Sequence, residues 1–284
     1  MNNYTLLFLL SMALCTPIMA KSSSTNVVLP NTQVQQIQSE TNGVSYKLFI
    51  SLPKGYRSSG KNYPIIYLLD ADYSFALAKQ ISEHLSERNR IEKSILVGIA
   101  YDNDLGYKTN RTRDYTPSYI SGGGYGPQYQ KYSGGAEKFF RFISAELIPF
   151  LQKHYRISQD ATFIGHSYGG LFGVYLLLNH PEIINNYVIV SPSLWYDQYL
   201  LLNRAQNKTD FNLNKRTNVS FIIGANENNG DYKMVNDLKR LHALIINKPH
   251  HNLHTSISII NDMDHDTIFP MAFTQGIMKK FIVN

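Results

Sequence analysis

"ATFIGHSYGGLFGVYLLL", residues 161–178, passes from a strand-like run into a helix-like one through a turn built on glycine. Inside it, Gly165, Ser167 and Gly169 make the pattern G-x-S-x-G. Five residues of that kind recur by chance, so the flanks must decide. An apolar strand before Ser167 and an apolar helix after it are the context in which a serine sits on a sharp, strained turn with its hydroxyl exposed. Gly165 and Gly169 let strand and helix approach closely around it, and Gly170 leaves further room. The first turn of the helix adds unpaired backbone N–H groups and the positive end of its dipole, both suited to an oxyanion developing beside the serine. Ser167 is therefore the candidate nucleophile.

Outward from this turn the chain alternates. Apolar runs occur at "VSYKLFISLP", "YPIIYLLD", "SILVGIA", "NYVIVSPS", "VSFIIGANE" and "TSISIIND", and most lack the polar alternation of a strand with one wet face. Between them lie helical patterns at "SFALAKQISEHLSER", "AEKFFRFISAELIPFLQKHY", "GLFGVYLLLNH", "DYKMVNDLKRLHALI" and "PMAFTQGIMKKFI". In the second of these, Phe139, Phe140, Ile143, Leu147 and Phe150 recur at helical spacing, and Pro149 is expected to kink or tighten the last turns. Strands alternating with helices predict a mostly parallel sheet covered on both faces, because each parallel step needs a crossover. In such α/β sheets function gathers at the carboxyl ends of the strands.

A serine hydroxyl needs a base. Of the nine histidines, His166 adjoins the serine but is expected to point away from it, and His84, His154 and His180 fall on helical patterns. His250, His251 and His254 cluster before a strand, yet no carboxylate stands at ligand spacing to complete a metal site. His265, in "NDMDHDTIFP" after the last apolar run, is the expected base. The acid that orients it is expected at Glu227, at the end of "VSFIIGANE", in the chain order Ser, acid, His. Asp231 is the alternative acid, although it suits a cap on the following helix better. A second oxyanion donor, beside the backbone N–H of Tyr168, is expected from the loop "YLLDADYSF", where Asp70 and Asp72 also qualify as simple helix caps.

The chain has 284 residues, 43% of them hydrophobic and 17% charged, which supports one sizeable core. "LLFLLSMALC" followed by "TPIMA" reads as a signal peptide over residues 1–20, cleaved after Ala20, although no Lys or Arg precedes the apolar block. The run is too short to span a bilayer. This predicts an exported folded domain over residues 21–284, periplasmic or secreted, with no stable membrane span after cleavage. Cys15 is the only cysteine and lies in that leader, so a disulfide scaffold, a cysteine nucleophile and a Cys-ligated zinc are excluded from the mature chain. The net charge of +6 favours anionic substrates or surfaces, but Lys and Arg are scattered and not striped, which argues against nucleic acid.

"PIIYLLDADYSF", "RDYTP", "GGAEKFFRFISAELIPFLQKHYR", "GHSYGGLFGVYLLL", "SPSLWY" and "DHDT", in that order, resemble the putative esterase family of α/β-hydrolases over roughly residues 40–282. The resemblance implies an α/β-hydrolase fold, Ser167 as nucleophile, His265 as base, and the backbone of Tyr168 and Asp72 as the oxyanion hole. It implies no cofactor and a small-molecule ester substrate, with a ferric catecholate siderophore lactone leading and small acyl or cinnamoyl esters as alternatives. Acyl transfer to another alcohol, or binding without catalysis, remains open on this fold. Where family members commonly carry "LDG", this chain has Leu69, Asp70 and Ala71, a change that a backbone donor tolerates. Some siderophore esterases of the family work with a Ser-His pair, which leaves Glu227 open. Residues 101–126, long, polar and aromatic, are expected to border the pocket, and the resemblance places Arg113 near the substrate.

Overall fold

The first strand of the sheet is one that hydrophobic patterning passes over. β1 (Thr32–Gln38) has the sequence TQVQQIQ and lies at the edge of the sheet, half wet, where glutamines cost little. It pairs antiparallel with β2 (Ser45–Ser51), which pairs antiparallel with β4 (Ile95–Tyr101). From there the sheet is parallel: β4 beside β3 (Tyr63–Leu68), then β5 (Ile157–His166), β6 (Asn186–Val190), β7 (Thr217–Gly224) and β8 (Leu253–Ile260). The order is β1-β2-β4-β3-β5-β6-β7-β8. Strands β3, β4 and β6 are buried along their whole length, which explains their unbroken apolar runs.

This computed structural model describes residues 26–228 and 231–279. The chain divides into residues 1–30 and residues 31–284. Of the first unit residues 26–30 are described, with neither helix nor strand; the expected leader and Cys15 lie outside the described residues.

Helices cover both faces of the sheet in the second unit. They are α1 (Ala71–Glu87), α2 (Gly106–Tyr115), α3 (Pro127–Gln130), α4 (Ala136–Arg141), α5 (Ile148–His154), α6 (Tyr168–Asn179), α7 (Tyr196–Asn207), α8 (Met234–Ile246) and α9 (Phe269–Lys279). Phe163 of β5 packs on Phe172 of α6, with ring centroids 6.1 Å apart. Its neighbour Ile164, in register with Val188 of β6, points the other way. There α9 comes so near that a Cβ on Gly276 would lie 2.3 Å from Val188 Cγ1. Helix α6, the one that follows Ser167, is buried from Tyr168 to Leu178.

Three local features differ from the patterning. Residues 101–126 are not one long loop, because α2 forms within them; its buried residues are polar, among them Asn110, Arg111 and Asp114, so it shows no apolar period. α7 also went unmarked, and its first turn carries Asp197, Gln198 and Tyr199 at positive φ. Ahead of Pro149, α4 runs into a π-helical stretch (Phe142–Leu147) and then α5, so the helix widens where the proline removes an N–H and crowds the preceding turn. Among the described residues no helix is long and apolar enough to cross a membrane.

Candidate active site

Ser167 stands between the end of β5 and the start of α6 with φ 60° and ψ −117°, a conformation held because its surroundings over-determine it. Its N–H donates to Val190 O (3.0 Å), and its carbonyl accepts from Leu171 N (2.8 Å) and Ser193 N (3.2 Å). A Cβ on Gly165 would lie 2.3 Å from the carbonyl oxygen of Gly169, so no other residue fits where the strand passes the helix. The Ser167 hydroxyl is almost enclosed and lies 3.4 Å from Ser193 Oγ. The N–H groups of the first turn of α6, beginning with Tyr168, precede the first intrahelical bond and are free for a ligand.

Glu227 and His265 arrive from neighbouring strands. Glu227 lies in a 3-10 turn (Ala225–Asn228) directly after β7, and His265 follows β8. The parallel pairing of β7 and β8 brings them together: His265 Nδ1 is 2.7 Å from Glu227 Oε2. The carboxylate is buried, with 1% of its side chain exposed, and is saturated with donors. Its Oε1 accepts from Ser191 Oγ (2.5 Å) and Gly224 N (2.8 Å). Asp231 is exposed and outside this cluster. Nor does it cap α8: Asn228 Oδ1 accepts from Val235 N (3.0 Å) and Asn236 N (3.3 Å).

Asp72 is the second residue of α1, whose first backbone bonds run from Tyr73 and Ser74 to Asp70 O, so the Asp72 N–H has no intrahelical acceptor. Asp70, at positive φ before α1, caps nothing with its side chain. Its carboxylate instead forms a buried fork with Arg111, Nε to Oδ1 at 3.1 Å and Nη2 to Oδ2 at 2.9 Å. Arg111 Nη2 also donates to His166 O (3.3 Å), tying this loop to the strand end before Ser167. The guanidinium lies among the rings of Tyr107, Tyr115, Tyr125 and Tyr168 at 5.0 to 5.8 Å.

Arg113, expected near the substrate, is engaged with side chains of α2 and β4. Its guanidinium is engaged in a fork with Asp114 (2.7 and 2.9 Å), bonded to Asn110 Oδ1 (3.0 Å) and over the Tyr101 ring. None of these contacts is with Ser167, Tyr168, His265 or Glu227. On a helix, residues two apart face different ways, and here Arg111 is the one turned toward the strand end at Ser167. The ring of His166 meets that of His265 at a tilt of 37°, with centroids 4.5 Å apart.

Aromatic side chains surround this cluster. Trp195 stacks on Tyr232 (4.3 Å, 15°) and meets the ring of Tyr168 at 6.0 Å. On another side Tyr73 meets Tyr107 (5.8 Å) and Phe269 (6.4 Å), and Lys108 lies over Tyr125. Trp195, Tyr232, Tyr119 and Gly122 border an open cleft of about 560 Å³, within the range of small-molecule sites.

Residues 39–248 match the sequence profile of the family described as "Putative esterase". The chain belongs to that family. It is 30% identical over 212 residues to the ferri-bacillibactin esterase BesA of Bacillus subtilis, covering 72% of this chain and 73% of that one. The crystal structure of the BES protein from Bacillus cereus superposes with a TM-score of 0.78 at 26% identity, over 91% of this chain and 98% of the other. The IroE-like serine hydrolase from Shewanella oneidensis gives 0.74 at 28% identity, over 89% and 82%. The esterase has the α/β-hydrolase fold, and its activity class is ester hydrolysis.

Three residues around the cluster escaped the patterning. Ser191 and Ser193 lie in "SPSLWY", which carries the family likeness but no motif that names a role, and Arg111 reads as one of several cations in a polar segment. Buried partners, not residue type, single them out.

Proposed function

We propose that this esterase works through Ser167, His265 and Glu227. The Ser167 hydroxyl turns from Ser193 to His265 Nε2, gives up its proton there, and Oγ forms a bond to the ester carbonyl carbon. The backbone N–H groups of Tyr168 and Asp72 receive the oxyanion. On collapse the ester C–O bond breaks, and the leaving alkoxide takes the proton from His265. Water then repeats the sequence on the acyl-enzyme, losing its proton to His265 and releasing the carboxylic acid. Glu227 holds Nδ1–H and balances the imidazolium charge. The observation that carries this reading is the 2.7 Å contact of a buried, fully bonded carboxylate with His265, a geometry that leaves the other ring nitrogen available.

The substrate we propose is a siderophore ester, a catecholate lactone first. In support, the chain resembles a ferri-bacillibactin esterase, and its site is framed by Trp195, Tyr232, Tyr73 and Lys108, which suit flat, electron-rich and anionic groups. Ser167→Ala is expected to leave a folded protein with hydrolysis of a catecholate trilactone reduced by roughly three or more powers of ten and no labelling by a fluorophosphonate. Near-normal turnover in that variant rules out the nucleophile. Rates for the trilactone, a short nitrophenyl ester and a feruloyl ester, compared on the unaltered protein, test the substrate class. We also propose export, with a mature N-terminus at Lys21; Edman sequencing of protein recovered from its host checks it, and a retained Met1 on the soluble form refutes it.

A further inference from the structure

The open cleft bordered by Trp195, Tyr232 and Tyr119 holds a group that the reaction above leaves unused. Among the described residues that border it, Asp197 alone is charged. Its Oδ2 accepts from Ser118 Oγ (2.5 Å), and a carboxylate has further acceptor sites to spare. Asp197, Gln198 and Tyr199 follow one another at φ 47°, 51° and 64°, in the left-handed region that non-glycine residues seldom enter. Such backbone persists where its surroundings over-determine it, and it gathers at ligand sites. The cleft also reaches the nucleophile. Trp195 meets the ring of Tyr168, the residue after Ser167, at 6.0 Å, and a Cβ on Gly124, also on the cleft's border, would lie 2.1 Å from the Tyr168 hydroxyl. Lys108, by contrast, lies over Tyr125 and Tyr129 and does not border the cleft.

We propose that this cleft is a subsite for one uncharged aryl arm of the substrate, its ring laid against the Trp195–Tyr232 pair and its phenolic O–H donating to Asp197, so that the ester is taken free of metal. The proposal rests on the reading of the substrate as a catecholate ester. Trp195 and Tyr232 are stacked nearly parallel, 4.3 Å and 15° apart, and so give a ready-made aromatic wall. An uncharged catechol carries two O–H donors for a carboxylate. Once bound to a metal ion it has lost both protons and has nothing to donate. Its negative oxygens would then stand beside Asp197 in a partly enclosed site, where like charges are weakly screened. The same carboxylate thus attracts the free arm and rejects the metal-bound one.

Trp195 is the only tryptophan of the chain, so its single indole N–H resonance in a nitrogen-15 spectrum reports on the cleft. On titration of the full chain, 2,3-dihydroxybenzamide, which is uncharged, is expected to move that resonance saturably. It should bind about tenfold more tightly than 2,3-dihydroxybenzoate, whose ring is the same but carries a carboxylate. Asp197→Asn keeps an acceptor for Ser118 and tolerates positive φ, and it should bring the two affinities within about twofold. Tyr232→Ala, at an exposed position, should weaken the benzamide about threefold to tenfold, the scale of one lost aromatic pair. Hydrolysis gives a second readout: kcat/KM for a metal-free catecholate trilactone should exceed that for its gallium(III) complex by about tenfold or more, and Asp197→Asn should narrow the gap. Equal affinity for benzamide and benzoate, an unmoved Trp195 resonance, or a gallium complex hydrolysed as fast as the free ester overturns the proposal. Neither fragment has an ester to cleave, so the substrate reading fails separately. Benzamide binding in a protein inert toward the trilactone sinks the catecholate ester as substrate, while the cleft stands as a site for an uncharged aryl group.

Discussion

Glu227 is more deeply committed than an orienting carboxylate needs to be. One oxygen takes His265 and the other takes Ser191 Oγ and Gly224 N, so both edges are acceptors and the residue serves the turn after β7 as well as the imidazole. Glu227→Gln offers a single acceptor oxygen. Turned toward Gly224 and Ser191, that oxygen leaves the NH2 facing His265, which favours the wrong tautomer; turned the other way, it leaves the NH2 against the N–H of Gly224. The expected result is turnover lower by about a hundredfold or more together with a measurable fall in melting temperature, read by steady-state kinetics and calorimetry. From sequence alone Glu227→Gln would be expected to spare stability. The two donors on Oε1 are why it does not, and they come from residues 36 and 3 positions away in the chain.

At the scale of elements, the start of α8 shows how a cap is chosen by geometry. Asp231 stands close before the helix in sequence and is the better cap by residue type, but it is exposed. Asn228, at the end of the turn that carries Glu227, reaches over to Val235 N and Asn236 N. Its side-chain amide also donates to Asn236 Oδ1. Asn228→Ala is therefore expected to cost about 0.5–2 kcal/mol in a urea titration, the usual loss of a cap, while Asp231→Ala stays near zero. Because the same turn carries Glu227, Asn228→Ala should also lower turnover modestly, whereas Asp231→Ala should not. If Asp231→Ala is the costly change, the cap is misassigned.

Across the whole molecule, the Asp70–Arg111 fork joins three separated pieces: the loop after β3, helix α2, and the strand end before Ser167. Both side chains are 2% exposed, so neither charge has water to fall back on. Removing one partner leaves the other buried and unpaired, a cost of about 3–5 kcal/mol for such pairs, whereas removing both leaves no stranded charge. Asp70→Asn and Arg111→Met are each expected to lower the denaturation midpoint strongly, and the double variant to regain part of it. Labelling of Ser167 by a fluorophosphonate should slow in all three, because Asp70 shapes the loop that presents the Asp72 N–H. Additive losses in the double variant, or full labelling in a destabilised single one, would remove the fork from the site's support.

The sequence by itself determined the alternation of strands and helices, the parallel sheet, and the position of Ser167, His265 and Glu227 at strand ends. These are local or periodic facts: burial on both faces of β3 and β6 writes an unbroken apolar run, and a close strand-to-helix turn demands glycine at 165. β1 left almost no trace because an edge strand does not need an apolar face, and α2 left none because its buried side is polar. Only the tertiary structure decided that Arg111 and not Arg113 turns toward Ser167, that Asn228 and not Asp231 caps α8, that Ser191 reaches Glu227, and that the rings of His166 and His265 meet. Each of those choices depends on which side chain meets a partner tens of residues away, and that is set by how the strands register and the helices rotate, which no local pattern of residues encodes.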